Sequence, residues 1–170
     1  AGRAAWYLKP NYPLLDEVTC WQGGNDTTET LVTGDQRPFG SRAVDYRYFL
    51  LPVTLDGGET RSLTIRIHSN GALNVPLSFE TPAEVIARSN HLTLTHGLFY
   101  GAFLVFAVFN LLLFFSSGAI YYFYNAFYMA SMGLFMFAMG GFANQYFWPN
   151  SPSLANTSIP LSLVLCALSM

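Results

Sequence analysis

The chain has 170 residues, 52% hydrophobic and 16% aromatic but only 11% charged, with a formal net charge of −2. That balance, with no run of Lys and Arg, excludes nucleic acid as a partner, and so little charge does not suit a wholly soluble protein. The placement of the charges resolves the conflict: all 8 Lys and Arg and all 10 Asp and Glu fall between Arg3 and Arg88, and residues 89–170 carry none. Two cysteines, Cys20 and Cys166, lie one in each part without a Cys-x-x-Cys pattern, so no disulfide between them is expected and the redox compartment is left unread. The chain opens without a leader-like segment and stops inside an apolar run, which reads as a fragment of a longer protein.

Residues 6–80 read as β. Leu14 to Trp21 and Glu29 to Thr33 are strand candidates around the turn-like Gly23-Gly24-Asn25-Asp26. An apolar run from Val44 to Leu55 ends at Asp56-Gly57-Gly58. In Ser62 to Ser69, Leu63, Ile65 and Ile67 alternate with Thr64, Arg66 and His68, which gives one buried and one wet face. Asn70-Gly71 suits a two-residue hairpin turn into a further alternating strand, Ala72 to Glu80. These last three strands are expected to form an antiparallel meander. Pro52 and Pro76 cannot donate to a ladder and should mark edges or bulges. Short, regularly spaced strands without helical periodicity indicate an all-β sandwich, jelly-roll-like and partial.

Thr81-Pro82 with Glu84 can start a short helix, with proline in the first turn and an acid near its N-terminus. From Leu98 to Phe115, thirteen of eighteen residues are Leu, Val or Phe and the only strongly polar one is Asn110. Such a helix crosses a hydrocarbon core of about 30 Å, and these thirteen favour insertion by roughly 4 to 8 kcal/mol. A tight link at Ser116 to Ala119 leads to a second span rich in Phe, Tyr and Met, and Gly141 to Ser158 reads as an uncharged loop before a third. The expected layout is a sandwich over 1–82, a junction over 83–96 and a transmembrane α-helical bundle over 97–170. Its spans lie at about 98–117, 120–140 and 159–170, the last cut short. Arg88 alone lies within about 20 residues of a membrane end, so charge bias gives no usable orientation.

Trp6 to Val18 (WYLKPNYPLLDEV), Thr33-Gly34-Asp35 with Pro38-Phe39, and Leu63 to Ser69 followed by Gly71, Leu73 and Pro76-Leu77 form an ordered set. Gly97 to Asn110 (GLFYGAFLVFAVFN), Tyr121 to Tyr124 and Gly140 to Pro149 (GGFANQYFWP) continue it. The set resembles bacterial seven-transmembrane receptors with diverse intracellular signalling modules that carry the second type of extracellular β-domain. The resemblance implies a periplasmic sandwich similar to carbohydrate-binding modules, seven inner-membrane helices and a cytoplasmic histidine kinase or diguanylate cyclase beyond this chain. The sequence departs from the family's pattern at Ser116 to Ile120, where charged residues usually stand and none is present.

No catalytic residue, metal site or cofactor is expected. The membrane part has no ionisable carboxylate or amine to relay protons, no Gly-x-Ser-x-Gly context exists, and His91 and His96 lie about 140° apart on a helix, which suits the interface rather than a shared metal. Arg66 and His68 on one strand face, with Tyr46 and Arg47 upstream, could bind a sugar or a carboxylate; alternatively the arginines pair with Asp45, Glu59 or Glu80 and the tyrosines are core. Gly97 with Gly101, and Ala126 with Ala130, are small pairs that would let helices approach closely, unless they face lipid. Asn110 and Asn125 stand at equal distances from the tight turn, so they are expected to bond each other or a common group. Lipid, a periplasmic small molecule or glycan, and a second copy of the chain are the expected partners. Signal reception is the function this points to, with a membrane subunit of an export or envelope-assembly complex as the alternative.

Overall fold

The computed structural model describes residues 4–23, 28–71 and 75–169. The expected turn at Gly24 to Asp26, the start of the last expected strand at Ala72 to Asn74, and Met170 lie outside those residues. Six strands, β1 (Ala4–Pro10), β2 (Glu17–Gly23), β3 (Thr28–Thr33), β4 (Leu51–Leu55), β5 (Ser62–His68) and β6 (Leu77–Glu80), precede three helices. The helices are α1 (Pro82–Ser117), α2 (Ile120–Met139) and α3 (Pro152–Leu168).

The strands form two antiparallel three-stranded sheets, in the orders β4-β1-β6 and β3-β2-β5. Leu8, Val18, Cys20, Leu51 and Val53 fill the space between them, joined by Leu15 and Phe49 from the connections. The alternation in β5 behaves as expected, with Leu63, Ile65 and Ile67 packed on this core and Arg66 and His68 exposed. Gln22, 3% exposed, donates from one sheet to the Pro52 carbonyl in the other at 2.8 Å. Pro52 lies on an edge strand, where its missing N–H costs no ladder bond.

The expected meander is not formed. β5 pairs with β2 and β6 pairs with β1, so the chain crosses between sheets at Asn70-Gly71. A contact distant in sequence accompanies the crossing: both the Asn70 amide N–H and its side chain donate to Asp16 Oδ2 at 2.8 Å, which holds this turn against the start of β2. Val44 to Leu50 are likewise not strand; pairing begins at Leu51. The central strand β1 was not expected as a strand because its second half ends in Lys9 and Pro10, which read as solvent or turn yet are both fully buried.

Lys9 is tolerated there because its Nζ lies 2.7 Å from Glu80 Oε1, an ion pair 1% and 6% exposed at its two side chains. The same oxygen also faces Arg88 of α1 at 3.2 Å. Between Glu80 and the helix stands only Thr81, the N-cap, whose hydroxyl accepts from the Glu84 amide while Glu84 reaches back to the Thr81 amide. The junction expected over 83–96 is therefore not a separate short helix. Its residues are the first turns of one helix 36 residues long, about 54 Å at the usual rise.

Among the described helices, α1 alone is long and apolar enough to cross a membrane by length and composition. α2 has 20 residues, and its tyrosines, Asn125 and Ser131 keep it below that hydropathy. Gly118, at φ +69°, closes α1 with its N–H on the Phe114 carbonyl at 2.8 Å, and α2 returns antiparallel after Ala119. The expected loop Gly141 to Ser158 is shorter than its composition suggests: a π-helical turn occupies Ala143–Phe147, and α3 begins at Pro152 and keeps Pro160 inside it.

Glu80→Ala should lower stability by about 3 to 5 kcal/mol, since it strands a buried Lys9. Lys9→Met should cost less, because Arg88 still faces Glu80; thermal unfolding of the purified chain in detergent measures both.

Candidate functional site

The sandwich does not hang from the helices by a linker. It rests on them along a seam built from the segment between β3 and β4 and from the connection between α2 and α3. The Phe39 N–H donates to the Pro149 carbonyl at 2.8 Å, a backbone bond across the seam. Nearby, Asn156 of α3 donates to Asp35 Oδ1 at 3.3 Å. Asp35 is placed by Gly34, whose missing side chain lets the strand end press on the Asp16 backbone; a Cβ there would stand 2.1 Å from the Asp16 oxygen.

At the centre is Arg47, 4% exposed. Its guanidinium carbon lies 4.8 Å from the ring centres of both Tyr48 and Phe142, one ring from each side of the seam. Both terminal nitrogens are buried without a hydrogen-bond partner among the described residues. Ring faces attract a cation by about 0.5 to 2 kcal/mol each when desolvated, while unmade bonds of a buried cation cost more than that. The site thus holds an uncompensated charge against an aromatic cluster.

Phe142 is the hub of that cluster. Its ring meets His96 at 5.4 Å and Tyr100 at 5.9 Å on α1, and Phe137 of α2 at 5.3 Å. Any displacement of Arg47 therefore reaches both helices through one side chain. Gly141 makes the approach possible: it adopts φ +79°, and a Cβ would stand 2.8 Å from the Pro13 side chain.

A second buried arginine, Arg42, organises the loop that carries Arg47. It donates to the carbonyls of Tyr46 and Arg47 at 3.0 and 2.9 Å and lies 4.6 Å from the rings of Phe39 and Phe49. Burial pulls its pKa down to about 10, against the favourable field of Asp35. Asp35 is raised above the usual carboxylate range, first by burial and further by Asp16, against the Asn156 hydrogen bond and Arg42.

The structure does not gather the expected ligand residues. Arg66 and His68 lie on the outer sheet, opposite Thr19 and Glu17 of β2, whereas Tyr46 and Arg47 belong to the seam. Asn125 Nδ2 donates to Asn110 Oδ1 at 2.9 Å, and Asn110 Nδ2 is held by the Phe106 carbonyl of its own helix at 2.8 Å. That bond pins the α1–α2 hairpin at the depth of Asn110, and bonds of this type contribute about 0.6 to 2 kcal/mol in a membrane. Gly97 and Gly101 have nothing within 4 Å of a would-be Cβ, so neither is a point of close approach. Gly133, not singled out in the sequence, does receive a neighbour, with Phe103 at 3.6 Å. Ala126 is buried and Ala130 exposed. His91 is exposed, His96 Nδ1 bonds the Leu92 carbonyl at 2.6 Å, and no metal-ligating cluster is present among the described residues.

A sandwich seated directly on a helical hairpin, one arm of which is long and apolar enough to span a bilayer, suits a membrane protein with an extramembrane β-domain. The family model described as 7TMR-DISM extracellular 2 matches residues 1–81, and that described as 7TM diverse intracellular signalling matches residues 92–170. The chain belongs to this family of membrane receptors, and its N-terminal domain faces outward. No curated protein and no solved structure matches the chain.

Gly141→Ala should open the seam, since it adds a clash with Pro13 to the strain of a positive φ. Gly118→Ala, also at positive φ but in open space, should cost only about 1 to 2 kcal/mol of backbone strain; amide exchange near Pro13 and Phe142 should rise in the first variant alone. For Asp35, a raised folded pKa means that stability present below the ordinary carboxylate pKa of about 3.9 is lost as pH rises through the folded value. Thermal melts of Asp35→Asn should accordingly gain on the wild type as pH increases through that window.

Proposed function

We propose that this chain is the receiving part of a bacterial inner-membrane receptor: the sandwich takes up a periplasmic small molecule or glycan, and the seam converts that event into a bias on the helices. A kinase or cyclase module beyond these residues is the output under this reading, and no catalytic chemistry is assigned to the residues themselves. The observation that carries the proposal is Arg47, held between Tyr48 and Phe142 with its terminal nitrogens unpaired. A cation so placed favours any rearrangement that supplies it an acceptor, and a ligand can shift an equilibrium only by binding one arrangement better than another. Phe142 passes such a rearrangement to His96 and Tyr100 on α1 and to Phe137 on α2.

Because α1 is continuous from Thr81 to the inner turn, a tilt imposed at the sandwich is carried the length of the membrane without a flexible joint. The test is a reversible lock. With Cys20 and Cys166 replaced by serine, Phe39→Cys and Pro149→Cys in the full-length receptor should crosslink under oxidation across the 2.8 Å backbone bond. Output should change several-fold on oxidation and return on reduction; unchanged output despite complete crosslinking overturns the coupling role of the seam.

A further inference from the structure

A second place joins the sandwich to α1, at the first turns of the helix, residues 82–91, which neither family model covers. A groove of about 280 Å³ runs between the segment before β4, with Asp45, Tyr46 and Leu50, and the first turns of α1, with Val85, Ser89 and Asn90. Val85 and Ser89 are four residues apart and share one helix face. The Tyr46 N–H donates to the Val44 carbonyl at 2.8 Å, a three-residue turn with Asp45 at its tip.

The groove has a distinct charge. The exposed Asp45 carboxylate makes no ion pair or hydrogen bond among the described residues, whereas Glu80 faces Lys9 and Arg88 and Glu59 faces Arg61. Tyr48 already carries Lys9 and Arg47 against its ring, at 5.7 and 4.8 Å, whereas no cation lies over Tyr46 among the described residues. The Tyr46 hydroxyl is buried and unpartnered among the described residues. An exposed carboxylate beside the Tyr46 ring, which itself packs on Tyr48 at 5.9 Å, with an amide and a hydroxyl on one wall and Leu50 and Val85 on the others, matches one chemistry. That chemistry is a small cation with an apolar body.

We infer that this groove binds a small primary amine, with its ammonium group on Asp45 and against Tyr46 and its apolar body between Leu50 and Val85. The inference rests on the receptor reading in one respect: a ligand wedged between the sandwich and the first turns of α1 is placed to change the angle of that helix. A neutral glycan would leave the Asp45 charge unanswered.

The probe is benzylamine, with benzyl alcohol and benzoate as neutral and anionic controls, followed by saturation-transfer NMR on the full chain in lipid nanodiscs. Benzylamine should bind at least tenfold more tightly than either control. Asp45→Asn should remove that preference, and Ser89→Trp, which fills the groove and leaves Asp45 in place, should abolish binding. Equal binding of benzyl alcohol overturns the inference in favour of a hydroxyl-bearing ligand. Absence of benzylamine binding, or binding indifferent to Asp45→Asn, overturns it outright. Binding with the expected pattern but with no effect on the output of the full-length receptor leaves the site standing and overturns the receptor reading instead.

Discussion

Glu80 is the carboxylate on which sandwich and helix both depend. It ends β6, one residue before the helix cap, and its Oε1 receives Lys9 from β1 and Arg88 from α1, with the Ser78 hydroxyl at 3.3 Å. Burying the pair costs desolvation of both groups, and the geometry offsets that cost only because two cations share one oxygen. The consequence is directional: the last strand cannot tilt without taking the first turns of α1 with it. A sandwich attached at a single flexible residue would be a tethered domain, whereas this one has a fixed seat.

The seam supplies the second point of attachment, and two points define an orientation. Around Arg47 the physics is the reverse of that around Glu80. Glu80 gathers Lys9, Arg88 and Ser78 on Oε1 and leaves only Oε2 buried without a partner, whereas Arg47 has none for either terminal nitrogen but two ring faces. The first arrangement is stiff, and the second has a large free energy to gain from any change that brings an acceptor. A rigid pivot beside a poorly satisfied contact is a sound physical basis for a receptor, because a small ligand-induced motion about the pivot is felt most at the weakest contact.

The groove at Asp45 lies between these two points, and the helix hairpin carries their geometry inward. α1 does so through an unbroken backbone ladder, and the Asn110–Asn125 bond keeps α2 in step near the inner turn. The π-helical turn and the positive φ at Gly141 place Phe142 where the sandwich can reach it. Local irregularity in the α2–α3 connection is therefore what lets a regular hairpin meet a regular sandwich.

The motifs on which the family resemblance rests turn out to converge in space. Pro13, Gly34-Asp35, Pro38-Phe39, Gly141-Phe142 and Pro149 come from three of these stretches and meet at the seam, though nothing in their spacing said so. Periodicity made β5, the capped start of α1, the apolar span and the tight turn at Gly118 legible, because each is set by neighbours along the chain. It could not reveal β1, whose buried Lys9 looks solvated until Glu80 is brought to it from 71 residues away. Nor could it reveal the crossing of Asn70-Gly71 between sheets, since the turn's own preference for a hairpin yields to the Asp16 carboxylate. The sequence by itself determined which part is solvated, which part suits the membrane, and the local signals that set β5, the cap of α1 and the turn at Gly118. Only the tertiary structure decided which strands pair, where Arg47 is held and how the sandwich sits on α1. Those depend on polar groups and aromatic rings meeting neighbours distant in sequence, and no local pattern records such neighbours.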